Sequence, residues 1–177
     1  MAIMPRALAA TLRRDLARYR GFRPPASPQP HRWRLALESL VFKAGFQAVV
    51  LYRISHLLGE SGWIRCAWMV ARINLLLTGA DIEFSARIGP GLLVPHPSGI
   101  VIGRGTRIGS GATIYQGVTC GIRGWTSGAA SGYPSIGDDV VLFARASVLG
   151  GIRVGDRAVV GAHALVTHDL AQERRAS

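Results

Sequence analysis

The sequence has 177 residues, 49% of them hydrophobic, and its 21 Lys plus Arg against 10 Asp plus Glu give a formal net charge of +11. That length and composition bury a substantial core and exclude a disordered or fibrous chain. The charge is uneven: residues 1–79 hold twelve basic and three acidic side chains, net +9, while residues 80–177 hold nine and seven, net +2.

Residues 7–20 carry a short amphipathic helical pattern, and the following RPPASPQP, 23–30, is a linker that no helix enters. Helical spacing resumes at Arg34 and runs to Leu58, with Leu37, Leu40, Val41, Ala44, Ala48, Leu51 and Ile54 on one face. Residues 59–62 break it, and a second helix covers 63–77. Lys43, Gln47 and Arg53 interrupt one apolar window, and Arg65 and Arg72 the other, so neither reads as a bilayer crossing. The N-terminus lacks the pattern of a secretory signal, and Cys66 and Cys120 form no CxxC or ligand cluster. Both are expected as buried thiols of a cytoplasmic protein. The basic cap leaves open a contact with an anionic membrane or an acidic carrier protein, beside the plain reading of a solvated surface. Nucleic acid is set aside, because no recognition motif accompanies the charge.

From residue 80 onward the period becomes six. Apolar residues fall at Ile82, Ile88 and Val94, at Ile102, Ile108, Ile114 and Cys120, and at Ile136, Leu142, Val148, Val154, Val160 and Val166. Small or β-branched residues stand four places later, as at Ala86, Thr106, Ala112, Ala146, Ala158 and Ala164. This is the hexapeptide repeat of a parallel β-helix, in which three hexapeptides make one triangular coil. The chain therefore divides into a helical cap, 1–79, a solenoid, 80–167, and a tail, 168–177, in which no repeat is legible. Two breaks interrupt the period. About two residues are inserted around PHPSG, which lifts His96 out of the wall, and ten are inserted between Cys120 and Ile136. The second makes a Gly- and Ser-rich loop, 122–134, that projects from the prism. A neutral imidazole at His96 can take the proton of a hydroxyl while its oxygen attacks a thioester; the other reading is a histidine fixed at a corner by Pro95 and Pro97.

Residues 81–121, DIEFSARIGPGLLVPHPSGIVIGRGTRIGSGATIYQGVTCG, resemble the catalytic stretch of the serine O-acetyltransferase family of hexapeptide acyltransferases. The segment YPSIGDDVVLFARASVLGGIRVGDRAVVGAHALV continues that likeness, and GFQAVVLYRISHLL, 45–58, is similar to the end of the family's helical domain. The resemblance implies a left-handed parallel β-helix behind an N-terminal α-helical cap. It makes acetyl-CoA the co-substrate, with no metal, His96 the catalytic base and Asp81 the carboxylate that orients it. It places the pantetheine arm near Gly121, Ala144 and Ala162, in a groove between two solenoids. It also implies a homotrimer, with His96 facing the neighbour's loop 122–134, and in some relatives two trimers dock through their caps.

The likeness lapses where the family holds its amino acid. Pro95 replaces an aspartate, Gly132 and Tyr133 replace an Arg-His pair, SPQPHRW has no acid, and Arg104 stands where an acid is usual. A charged amino acid calls for opposite charges in its site. The expected acceptor is therefore a neutral hydroxyl, of a sugar or specialised metabolite, with Tyr133, Trp125 and Tyr115 offering stacking faces or packing only. Genuine serine acetylation is the alternative, and the C-terminus lacks the terminal isoleucine with which the family docks onto cysteine synthase. Two other classes fit the sequence less well. A zinc solenoid of the carbonic anhydrase type needs three converging histidines, and the order and spacing of His96, His163 and His168 do not match. A non-catalytic binding solenoid would make the PHPSG insertion ornamental.

Overall fold

The computed structural model describes residues 3–19, 32–124 and 132–176. Four helices come first, α1 (Ile3–Arg18), α2 (Arg32–Phe42), α3 (Ala44–Glu60) and α4 (Ile64–Thr78). Thirteen short strands follow among the described residues, from β1 (Asp81–Ile82) to β13 (Arg175–Ala176). They form three parallel sheets: β1, β3 (Val101–Ile102), β6 (Thr119–Gly121), β9 (Ser147–Leu149) and β12 (Leu165–Val166); β2 (Arg87–Ile88), β4 (Arg107–Ile108), β7 (Ser135–Ile136) and β10 (Arg153–Val154); and β5 (Thr113–Ile114), β8 (Val141–Leu142), β11 (Val159–Val160) and β13. These are the three walls of a left-handed parallel β-helix, called here A, B and C. No helix among the described residues is long and apolar enough to cross a membrane.

The six-residue period is the core. Ile82, Ile102, Cys120, Val148 and Val166 stack in wall A at 2% exposure or less, and the small residues Ala86, Thr106, Val118, Val140, Ala146 and Ala158 fill the corners at zero. Each fully buried aliphatic side chain contributes roughly 1.5–3 kcal/mol. The ten-residue insertion leaves the stack in register: Thr119 pairs with Ser147, Arg107 with Ser135 and Thr113 with Val141.

The segment expected as a tail is a further coil. Leu170 bridges Val154 in wall B, β13 pairs with β11, and Leu170 and Ala176 pack on the core. The step from Val166 to the next inward residue is four rather than six, which throws the repeat out of phase and hides it.

The expected single helix over 34–58 is two. It breaks at Lys43, whose backbone is extended (φ −114°, ψ 97°). Gln47 reaches back to donate to Leu40 O (2.7 Å) and Val41 O (3.2 Å), satisfying carbonyls that the broken helix leaves open.

The cap plugs the open end of the solenoid. A first coil has no preceding coil to receive its outer backbone groups, and buried unpaired groups are costly. Here side chains serve them. Tyr52 Oη donates to Ala86 O (2.8 Å) and accepts from Ile88 N (3.2 Å), and His56 Nδ1 donates to Phe84 O (2.7 Å). Arg53 donates to Ile88 O, to Gly89 O (2.7 Å) and to the Asp15 carboxylate (Nε to Oδ2, 3.0 Å). Asp15, fully buried, accepts from Gly91 N (2.7 Å) and Leu92 N (2.8 Å). Arg18 reaches the second coil at Gly111 O (2.7 Å) and Thr113 Oγ1 (2.9 Å). Part of the cap's basic charge is thus spent on internal bonds.

Candidate active site

The insertion that carries His96 is clamped on three sides. Before it, Tyr19 Oη donates to Val94 O (3.2 Å) and accepts from Val94 N (3.1 Å), while α3 passes so close at Gly45 that any Cβ there would overlap Val94 O. Below it, Gly99 N donates to Gly79 O (2.9 Å), Gly79 being the left-handed cap of α4 (φ 75°). Above it, Gly117 N donates to Ser98 O (2.9 Å). His96 itself stays exposed between half-buried Pro95 and buried Pro97.

A cavity of about 370 Å³ opens beside it, lined by Tyr19, Phe42, Lys43, Ala44, Pro95, His96 and Pro97. Lys43 Nζ donates to Tyr19 O (3.0 Å) and lies 5.7 Å from the Tyr19 ring centre. Burial first, then the nearby Asp15 charge, raises the Tyr19 hydroxyl above its ordinary pKa against the opposing hydrogen bond from the Val94 backbone, so it remains a neutral strut. Sequence reasoning missed these cap residues. Their only signal was the chain's single lysine inside an apolar helical run.

Asp81 opens β1, and its amide donates to Ile100 O (2.8 Å), which brings the strand start against the end of the insertion. Its side chain is exposed, and no hydrogen bond joins it to His96 among the described residues. Two positions on along the same wall, Glu83 is half-buried and its carboxyl is raised, by burial first, with Arg104 opposing and Asp81 adding to the rise.

The remaining candidates fall on the two edges of wall A. On the edge that follows wall C, the bonds Gly117 N to Ser98 O, Arg145 N to Gln116 O and His163 N to Ala144 O stack successive turns. This column carries Ala144 and Ala162 along the same edge as His96. Tyr115 lies there too, stacked on Phe143 at 5.2 Å and 13°. Gln116 Oε1 in that column is buried without a hydrogen-bond partner among the described residues. Gly121 is on the opposite edge, and a Cβ there would meet nothing within 4 Å among the described residues. Tyr133 is on that edge as well, its ring lying against Gly103 and Gly105. Trp125 and the centre of loop 122–134 lie outside the described residues. Within one chain, then, His96, Tyr115, Ala144 and Ala162 share an edge, and Gly121 and Tyr133 do not.

Cys120 is fully buried in the core, and burial pushes its thiol up to about 12, so no thiolate is available at neutral pH. No group of three His, Cys, Asp or Glu side chains among the described residues could hold a metal ion.

Comparison with known proteins agrees with this architecture. Residues 133–168 match the family model for bacterial transferase hexapeptide (six repeats). The chain is 40% identical over 133 residues to serine acetyltransferase of Helicobacter pylori, covering 75% of this chain and 77% of that one. It is 38% identical over 144 residues to the Mycobacterium tuberculosis enzyme of the same name, covering 81% of this chain and 59% of that one. Among solved structures, Neisseria gonorrhoeae serine acetyltransferase superposes with a TM-score of 0.83 at 31% identity, over 97% of this chain and 64% of that chain. The same enzyme in complex with serine gives 0.82 at 31%, over 97% and 68%.

Proposed function

Because the chain belongs to the serine acetyltransferase family of hexapeptide-repeat acyltransferases, we propose that it moves the acetyl group of acetyl-CoA to the hydroxyl of L-serine, with His96 as general base. The neutral sugar or specialised acceptor expected from the altered residues finds no support among the relatives named above, one of which is a complex with serine. The observation that carries the reading is the clamped insertion, which presents an exposed imidazole beside a cavity sized for a small molecule.

In this mechanism the serine hydroxyl gives its proton to His96, and its oxygen attacks the thioester carbon. The tetrahedral intermediate collapses to O-acetylserine, and the CoA thiolate leaves and takes up a proton. Asp81 orients the imidazole and stabilises its cation. Attack is direct from a ternary complex, since a hydroxyl activated by His96 needs no nucleophile of the protein's own. The pantetheine arm runs along the edge of Ala144 and Ala162, and backbone amides there steady the developing oxyanion. Gly121 and Tyr133 join it from a neighbouring chain of a homotrimer, which the placement of these residues on the opposite edge of wall A favours. The setting is the cytoplasm.

The test is release of free thiol from acetyl-CoA by the pure protein with L-serine, L-homoserine, hexoses, nucleotide sugars and aminosugars, with His96→Ala as control. Release with L-serine that the variant lacks supports the proposal. Release only with a sugar would overturn the acceptor and restore the neutral-hydroxyl reading.

A further inference from the structure

The edge of wall A that carries Gly121 also carries a cation. Residues 103–106 turn the chain from wall A into wall B there, with Thr106 N on Gly103 O (3.1 Å), and Gly103 N donates to Cys120 O (2.8 Å) on the turn below Gly121. A Cβ at Gly103 or at Gly105 would overlap the Tyr133 ring, so both positions are bare and Arg104 stands between them beside that ring. Its side chain is exposed. Glu83, on the strand below, feels its charge, yet no hydrogen bond or ion pair engages the guanidinium among the described residues. Resting on L-serine as acceptor and on a site shared between chains, we propose that Arg104 of one protomer reaches the His96 site of its neighbour. There it holds the acceptor's carboxylate and selects a carboxylate-bearing alcohol over a neutral one.

Three features suit it to this. A carboxylate taken out of water needs a paired opposite charge, and a guanidinium supplies one permanently, with two parallel bonds that match both oxygens. Arg104 travels with Gly121 and Tyr133, the residues that the opposite edge of wall A brings to a neighbouring chain, so anchor and base meet only in the assembled trimer. Tyr133 itself offers a carboxylate no charge, but its fit against the two glycines sets Arg104 alongside it on the same surface. A sugar would gain nothing from this cation.

The experiment compares L-serine with serinol, which keeps the amine and hydroxyl but lacks the carboxylate, in the wild type, Arg104→Gln and Arg104→Lys. A hydrogen bond to a charged group predicts that Arg104→Gln loses about tenfold to a hundredfold in kcat/KM for L-serine, mainly through KM. The ratio of kcat/KM for L-serine to that for serinol should fall with it, Arg104→Lys should recover part of the loss, and thermal melting should stay near wild type. Co-expressing Arg104→Gln with His96→Ala should restore a component with the wild-type KM for L-serine, which an Arg104 acting within its own chain could not do. An unchanged L-serine KM in Arg104→Gln, an equal loss on both acceptors, or no restored component overturns the anchor while leaving the acceptor assignment standing. A wild-type protein that does not acetylate L-serine overturns both.

Discussion

The exposed imidazole of His96 and the buried hydroxyl of Tyr19 serve one segment, the first as its reactive group and the second as its strut at Val94. His96 announced itself because two inserted residues shift a strict period, and a shifted period is visible without a structure. Lys43 and Tyr19 gave no such sign. They act through a helix break and through bonds to main-chain atoms, and neither leaves a periodic trace in a run where Leu40, Val41 and Ala44 continue the apolar face. If His96 is the base, His96→Ala should lower kcat by at least about a hundredfold, the usual worth of a positioned general base, with little change in melting temperature, since the imidazole is exposed. Steady-state kinetics beside a thermal melt checks both halves. Gly121 offers a complementary case: its Cβ position meets nothing within 4 Å among the described residues, so Gly121→Trp should fold normally yet lose acetyl-CoA binding, measured by calorimetry.

At the scale of elements, the cap is held to the first coil by polar bonds as well as by the apolar contacts of Ala48, Val49 and Tyr52. The buried Arg53–Asp15 pair is central to this, since Asp15 also takes two backbone amides. Asp15→Ala strands a buried guanidinium and those amides, and should cost about 3–5 kcal/mol in denaturant unfolding. The two tyrosine struts add a pH limit. Burial pushes the Tyr52 hydroxyl from 10.0 up to about 12 and raises that of Tyr19 as well. A group whose pKa is raised on folding contributes fully below its unfolded value and loses that contribution as pH climbs through its folded value. Stability should therefore hold to about pH 10 and decline toward pH 12, which melts taken across that range would reveal. None of this is legible in the sequence, where Arg53 shows only as a charge interrupting an apolar window and Asp15 leaves no periodic mark. The last coil was unreadable for the opposite reason, because a step of four conceals a repeat that the walls still honour at Leu170 and Ala176.

At the scale of the whole molecule, the fold was the most legible part, because a core one residue deep writes its period directly into the chain. The assembly was not, since it depends on which edge meets which. His96 and Gly121 bound wall A from opposite sides, so a site that uses both joins two chains. Two variants, His96→Ala and Gly121→Trp, each inactive alone, should then regain activity when co-expressed. Random mixing in a trimer leaves about a quarter of the interfaces with both edges intact. Persistent inactivity of the mixed protein, shown by tagged purification to contain both chains, would count against a shared site.

The register across the ten-residue insertion has a consequence of its own. All three walls resume after it as though the intervening residues were absent, so covalent continuity there adds little to the way one coil recognises the next. The molecule has a natural seam. Cutting within 125–131 should yield two fragments that remain one particle, and the same pieces made separately should find each other, turning this arm into a place where the protein can be taken apart and rejoined at will.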